Sequence, residues 1–129
     1  MIRVASIPVA ILVAFLTVPG VPADEPKAVD FDRDVKPIFA KHCVSCHGPD
    51  KQRGDLRLDR KTDAFRGGES GKAFTNGKAA DSLLVHRVLA TDDTKMPPKG
   101  ERLSAAEIAT LKTWIDQGAK WPDDGSAVN

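Results

Sequence analysis

The chain has 129 residues, with 19 Lys and Arg against 18 Asp and Glu. Nothing in a balance so close to neutral suggests a nucleic-acid binder or a protein that docks on acidic lipid. Six aromatic residues follow position 23 and Tyr is absent, so a domain of this size has little with which to build a large core.

Residues 1–23 read as a secretory signal peptide. Arg3 gives the positive start, Val4 to Val18 is an uncharged apolar run, and Pro19-Gly20 breaks it before the small-residue site Val21-Pro22-Ala23. The run is shorter than the roughly 20 residues of a spanning helix and contains Pro8. No other segment is apolar enough to span a membrane, and no cysteine stands near the cleavage site to take a lipid. Cleavage leaves about 106 residues, with 18 basic against 18 acidic side chains, which fits one small domain.

Helical patterns dominate that domain, and strand patterns are nearly absent. Residues 24–30 form a polar leader. Asp30 or Asp32 can N-cap a helix whose apolar side is Phe31, Val35, Ile38 and Phe39, with Pro37 marking its start or a kink. This helix runs into Cys43, and Gly48-Pro49-Asp50 forces a turn after His47. Residues 50–80 are mostly loop, with Leu56 and Leu58 on one side of a short extended piece. Asp59 can cap a brief helix over 60–66 that Gly67-Gly68 ends. Asp81 or Ser82 caps a helix with Leu84, Val85, Val88 and Leu89 on one side. After a loop over 90–103, Ser104-Ala105-Ala106-Glu107 is a capping box, Leu103 can staple to Ile108, and Gly118 ends the last helix. The domain spans 31–122, and the polar tail 123–129 is expected to be disordered.

Cys43-Val44-Ser45-Cys46-His47 carries the chemistry. C-x-x-C-H is the attachment signature of a c-type haem. Two thiols at this spacing each add to one vinyl group of the macrocycle, and the next residue supplies an imidazole as proximal axial ligand. Attachment of this kind takes place outside the cytoplasm, in agreement with the export signal. The competing readings fit less well. A disulfide is the common fate of two exported cysteines; a thioredoxin-like pair needs a strand–helix unit, for which no pattern exists. Zinc needs ligands from separated segments, whereas His42, Cys43, Cys46 and His47 are near neighbours.

Met96 is the only methionine after the initiator and precedes Pro97-Pro98. A thioether suits haem iron and raises its potential, and the two prolines stiffen the segment that presents it. The alternatives are an ordinary core methionine, or ligation by His86; His42 is tethered to the proximal side. Arg57 could pair bidentately with a haem propionate or lie free on the surface. Phe39, Leu56, Leu58, Leu84 and Trp114 are candidate pocket walls. Lys41, Lys51, Arg53, Lys95, Lys99 and Arg102 flank the ligand-bearing segments, but interleaved acids favour a plain solvated surface.

Taken together, Asp34-Val35-Lys36-Pro37-Ile38-Phe39, Cys43 to Gly48, Leu56-Arg57-Leu58-Asp59, Ser82-Leu83-Leu84, Met96-Pro97-Pro98, Leu103-Ser104 and Trp114-Ile115 with Gly118-Ala119 resemble the small planctomycete-type cytochrome c domain, a relative of class I cytochromes c. The resemblance covers about Phe31 to Pro122. It implies an all-α fold of several short helices wrapped around one covalent haem c, with His47 and Met96 as axial ligands. It also implies one-electron transfer in the periplasm with no substrate turnover, through transient docking with redox partner proteins. A haem-based redox or gas-sensing module of a larger oxidoreductase complex is the alternative. In that family the domain usually heads a longer protein with further domains; here the sequence stops soon after it.

Overall fold

The computed structural model describes residues 25–123 together with Gly20, Ala127 and Val128. The export signal expected over 1–23 therefore lies outside the described residues, Gly20 aside. Among the described residues the regular structure is helical. The extended pairings are two isolated bridges, His47 with Gln52 and Gly68 with Gly71. The elements are a wide π-type turn (Phe31–Val35) leading into α1 (Lys36–His42), α2 (Lys61–Arg66), α3 (Leu83–Leu89) and α4 (Ala105–Asp116), with short 3-10 turns at Arg53–Asp55 and Ala79–Asp81.

Local sequence accounts for most of these boundaries. The Asp30 side chain accepts from the Arg33 N–H at 2.8 Å, capping the first turn. Lys36 donates back to the Phe31 carbonyl, five residues away, and Pro37 sits in the first turn of α1, where its missing N–H costs little. At α4 the capping box forms in full: Glu107 N–H donates to Ser104 Oγ at 3.1 Å, and Ser104 N–H to Glu107 Oε2 at 2.8 Å. Gly67 (φ 84°, ψ −165°) follows α2 and Gly118 (φ 100°) lies just past α4, both at positive φ, where glycine ends a helix without strain.

Three local expectations are corrected. Arg60, not Asp59, occupies the N-cap of α2, because the Asp59 carboxylate is taken up by Arg57. Ser82 stands at the N-cap of α3 without capping it. Its hydroxyl is fully buried, donates to the Lys78 carbonyl at 2.8 Å and accepts from Thr75 N–H at 2.9 Å, so it braces the preceding loop. Leu89 is 52% exposed and leaves the apolar face of α3 to Leu84, Val85 and Val88.

The core is an aromatic cluster that uses all six aromatic residues beyond the leader. Phe31 stacks on Trp121 with centroids 4.0 Å apart. Phe39 and Phe74 meet Trp114 edge-on at 5.9 and 5.2 Å, and Phe65 meets Phe74 edge-on at 5.1 Å. Edge-to-face and offset pairs of this kind add about 0.5–1.5 kcal/mol each beyond their area burial. The Trp114 indole N–H donates to the Lys120 carbonyl at 2.9 Å, so its polar end is satisfied. Leu111, Ile115 and Val35 fill in around the rings.

The chain ends fasten to this core. Gln117 accepts from Val29 N–H at 2.8 Å and reaches the Pro26 and Lys27 carbonyls, holding the polar leader against the end of α4. Beyond Pro122, Val128 is buried and donates its N–H to the Asp59 carbonyl at 2.9 Å. Ser104→Ala should remove one of the two hydrogen bonds of the capping box, the one from Glu107 N–H to Ser104 Oγ, and cost about 1 kcal/mol. Urea unfolding midpoints of the two chains check this.

Candidate functional site

The end of α1 builds the site. The Phe39 carbonyl accepts from both Cys43 N–H (2.9 Å) and Val44 N–H (3.0 Å). The Cys43 carbonyl in turn accepts from Cys46 N–H (3.1 Å) and His47 N–H (2.9 Å). These bonds wind residues 43–47 into a tight turn that continues the helix and brings both thiols and the imidazole to one side. The turn is closed from downstream: Arg53 N–H donates to the Cys46 carbonyl at 3.0 Å, and Leu58 N–H to the His47 carbonyl at 2.7 Å. Gly48 is required for that closure, since a Cβ there would lie 2.3 Å from the Val44 carbonyl oxygen.

Cys43, Cys46 and His47 line a cavity of about 660 Å³, within the roughly 300–1,000 Å³ typical of cofactor sites. Met96 lines the same cavity from the loop after α3. Its N–H donates to the Arg87 carbonyl at 2.9 Å, which hangs the loop from the helix, and the Met96–Pro97 peptide bond is cis. Arg102 reinforces the attachment by donating to the Val88 and Ala90 carbonyls at 2.8 and 2.7 Å. Leu56, Leu58 and Leu84 are apolar walls, as expected, joined by Leu83 and Val88. Phe39 and Trp114 belong to the aromatic core and do not line the cavity.

The electrostatics separate this pair of cysteines from a redox dithiol. Burial pushes the Cys43 thiol up to about 12, whereas the attacking thiol of a disulfide exchanger has a lowered pKa. Burial also lowers the pKa of His47, opposed by the backbone groups of Leu56 and Arg53 beside the ring. Burial thus favours the neutral form of the imidazole, which keeps a lone pair. Its Nδ1 is buried and has no partner at full hydrogen-bond geometry among the described residues, although the Leu56 and Arg53 backbone lies beside the ring. A buried polar atom left alone costs about 1–3 kcal/mol, which a purely structural histidine would be expected to avoid.

The other histidines are engaged elsewhere. His42 borders the cavity, but its side chain is 2% exposed and its Nε2 lies 3.1 Å from Glu107 Oε2, tying α1 to α4. His86 is exposed, lies outside the cavity wall, and sits 2.6 Å from the Ala80 carbonyl oxygen through its Nε2. Arg57 is also absent from the wall; its guanidinium grips the buried Asp59 carboxylate at 2.9 and 2.6 Å.

Several wall residues had no marker that a reading of the sequence would single out. Gly68, Ser70, Gly71 and Ala73 form one side, where the glycine-rich loop turns back on itself and rests on Gly54 through the Glu69 N–H at 2.8 Å. Arg87 enters on the face of α3 that presents Leu83, Leu84 and Val88, residues that helical spacing sets side by side.

Two cysteines, a buried imidazole, a thioether and aliphatic walls on one cavity fit a covalently attached tetrapyrrole. Residues 43–100 match the family model of planctomycete cytochrome C, the family the sequence resembles. No curated protein and no solved structure matches the chain.

Two outcomes follow from this geometry. A Cβ on Gly68 would lie 2.3 Å from the Gly54 carbonyl oxygen, a backbone atom that cannot swing aside. Gly68→Ala should cost about 1–3 kcal/mol, read from denaturant midpoints. Glu107 is held below the usual glutamate value of 4.5, mainly by the Ser104 N–H and then by His42. A lowered folded pKa gives stability that is present above the unfolded value and is lost as pH falls through the folded one. Glu107→Gln should therefore lose stability at neutral pH and decline less steeply below about pH 4.5, measured by thermal unfolding across pH.

Proposed function

We propose that this planctomycete cytochrome C domain is an exported, periplasmic one-electron carrier with a single haem c. The observation that carries the reading is the convergence on one cavity of Cys43, Cys46, His47 and Met96, which come from two separate segments. Cys43 and Cys46 would hold the macrocycle as thioethers, and His47 and Met96 would supply the ligands to its iron. When bound, the haem supplies a reversible one-electron couple whose potential is set by axial ligand, burial and hydrogen bonding.

The chain's own residues keep that couple stable. The doubly anchored turn at 43–47 holds the imidazole in place. The attachment of the Met96 segment to Arg87, Val88 and Ala90 keeps a weak sulfur ligand from drifting away. Leu56, Leu58, Leu83, Leu84 and Val88 exclude water from the cavity. No acid, base or nucleophile is needed, because no substrate bond is made or broken. Among the described residues no helix is long and apolar enough to cross a membrane. The carrier would meet its donor and acceptor proteins by brief docking.

Expression in a host that matures c-type haem tests the assignment. Wild type should show a low-spin ferric spectrum with a methionine–sulfur charge-transfer band toward the red and no binding of carbon monoxide when reduced. Met96→Ala should lose the band, bind external ligands and fall in potential, while His86→Ala keeps the wild-type spectrum. An unchanged Met96→Ala spectrum would remove Met96 as ligand. Rapid carbon monoxide binding by wild type would instead favour a sensing module.

A further inference from the structure

The cavity wall contains a cation that the axial chemistry does not use. Arg87 is half-buried on the α3 face otherwise made of Leu83, Leu84 and Val88. Its guanidinium reaches the Thr94 carbonyl at 3.3 Å and makes no ion pair among the described residues. The nearby Asp92 carboxylate takes the Thr94 hydroxyl at 2.5 Å and the Thr94 N–H at 2.9 Å, both on Oδ1, and acts on Arg87 only as a charge at a distance. With one carbonyl as its hydrogen-bond partner among the described residues, the guanidinium keeps most of its donors free for an anion in the cavity.

The other basic residues of the wall are placed differently. Lys41 already pairs with Glu101 at 3.0 Å. Arg53 and Lys99 are exposed. Arg53 also follows directly on the cysteine turn, with its N–H on the Cys46 carbonyl. The carboxylates of a haem lie on the edge away from its vinyl groups, so their partner belongs on a wall remote from the thioether cysteines. α3 packs on α4 and the Ala79–Asp81 turn rather than on α1, the helix that leads into the cysteines.

Building on the haem reading above, we propose that Arg87 is the carboxylate-binding residue of this site, forming a bidentate pair with a haem propionate. Because the Arg87 carbonyl also accepts the Met96 N–H, one residue then holds both the anionic edge and the loop that presents the sulfur ligand.

Redox-difference infrared spectra of the holoprotein, with the haem carboxylates carrying carbon-13, test this directly. Arg87→Gln should move the labelled carboxylate band and raise by about one unit or more the pH at which the potential begins to change. Arg87→Lys, which keeps the charge but not the fork, should move the band less and leave the pH profile near wild type. Arg57→Gln should move neither. A labelled band and pH profile in Arg87→Gln identical to wild type, with haem still attached, would overturn the assignment alone, as would the same changes appearing only in Arg53→Gln or Arg57→Gln. Should Arg87→Gln fail to accumulate, a band in Arg87→Lys identical to wild type would overturn it equally. A wild-type chain that emerges without thioether-bonded haem would instead overturn the functional reading on which it rests.

Discussion

The double acceptor at the Phe39 carbonyl is the constraint on which the rest depends. The Phe39 ring is fully buried against Trp114 and Phe31, and its carbonyl takes the N–H groups of Cys43 and Val44. One residue therefore transmits the rigidity of the aromatic core to the turn that bears both thiols and the imidazole. Loosening Phe39 would free the cavity wall and the core together. This fits the general rule that functional groups are held best when their supporting shell is itself packed.

The molecule is divided between two kinds of apolar surface. The aromatic residues pack on one another and on α4, giving the domain a core of its own. The cavity is lined instead by aliphatic side chains and by a loop of glycines that lets backbone approach backbone. The shortage of aromatics noted in the sequence is offset by their grouping: the rings are few, but they are gathered into one cluster. The polar contacts across the domain serve the same division. His42 with Glu107 joins α1 to α4 behind the cavity, and Arg102 ties the Met96 loop to the end of α3.

What was legible in the sequence was whatever chemistry makes local. Cys43, Cys46 and His47 are neighbours, and their spacing is dictated by the group they would hold. The Ser104–Glu107 capping box and the turn at Gly48 are likewise set within a few residues. Met96 stood out because no other methionine follows the initiator. The remainder depended on which way a helix faces, and that is decided by packing between distant segments. Phe39 and Trp114 were as plausible in the cavity wall as Leu84 until the aromatic cluster claimed them. Arg57 matched a propionate as well as any arginine, but Asp59, two residues on, holds its guanidinium in the structure. Arg87 had no marker in sequence because its significance comes from the wall it shares with Leu83, Leu84 and Val88. Gly68 is similar: its missing side chain matters only because the Gly54 carbonyl lies against it.

The central claim is that one cavity brings the haem-attachment turn and the Met96 loop to the same iron. X-ray absorption fine structure at the iron edge of the purified ferric protein tests it most directly. The account predicts a single sulfur in the first coordination shell, with nitrogens in the remaining positions, and loss of that sulfur in Met96→Ala. A first shell of nitrogen and oxygen alone in the wild type would contradict it.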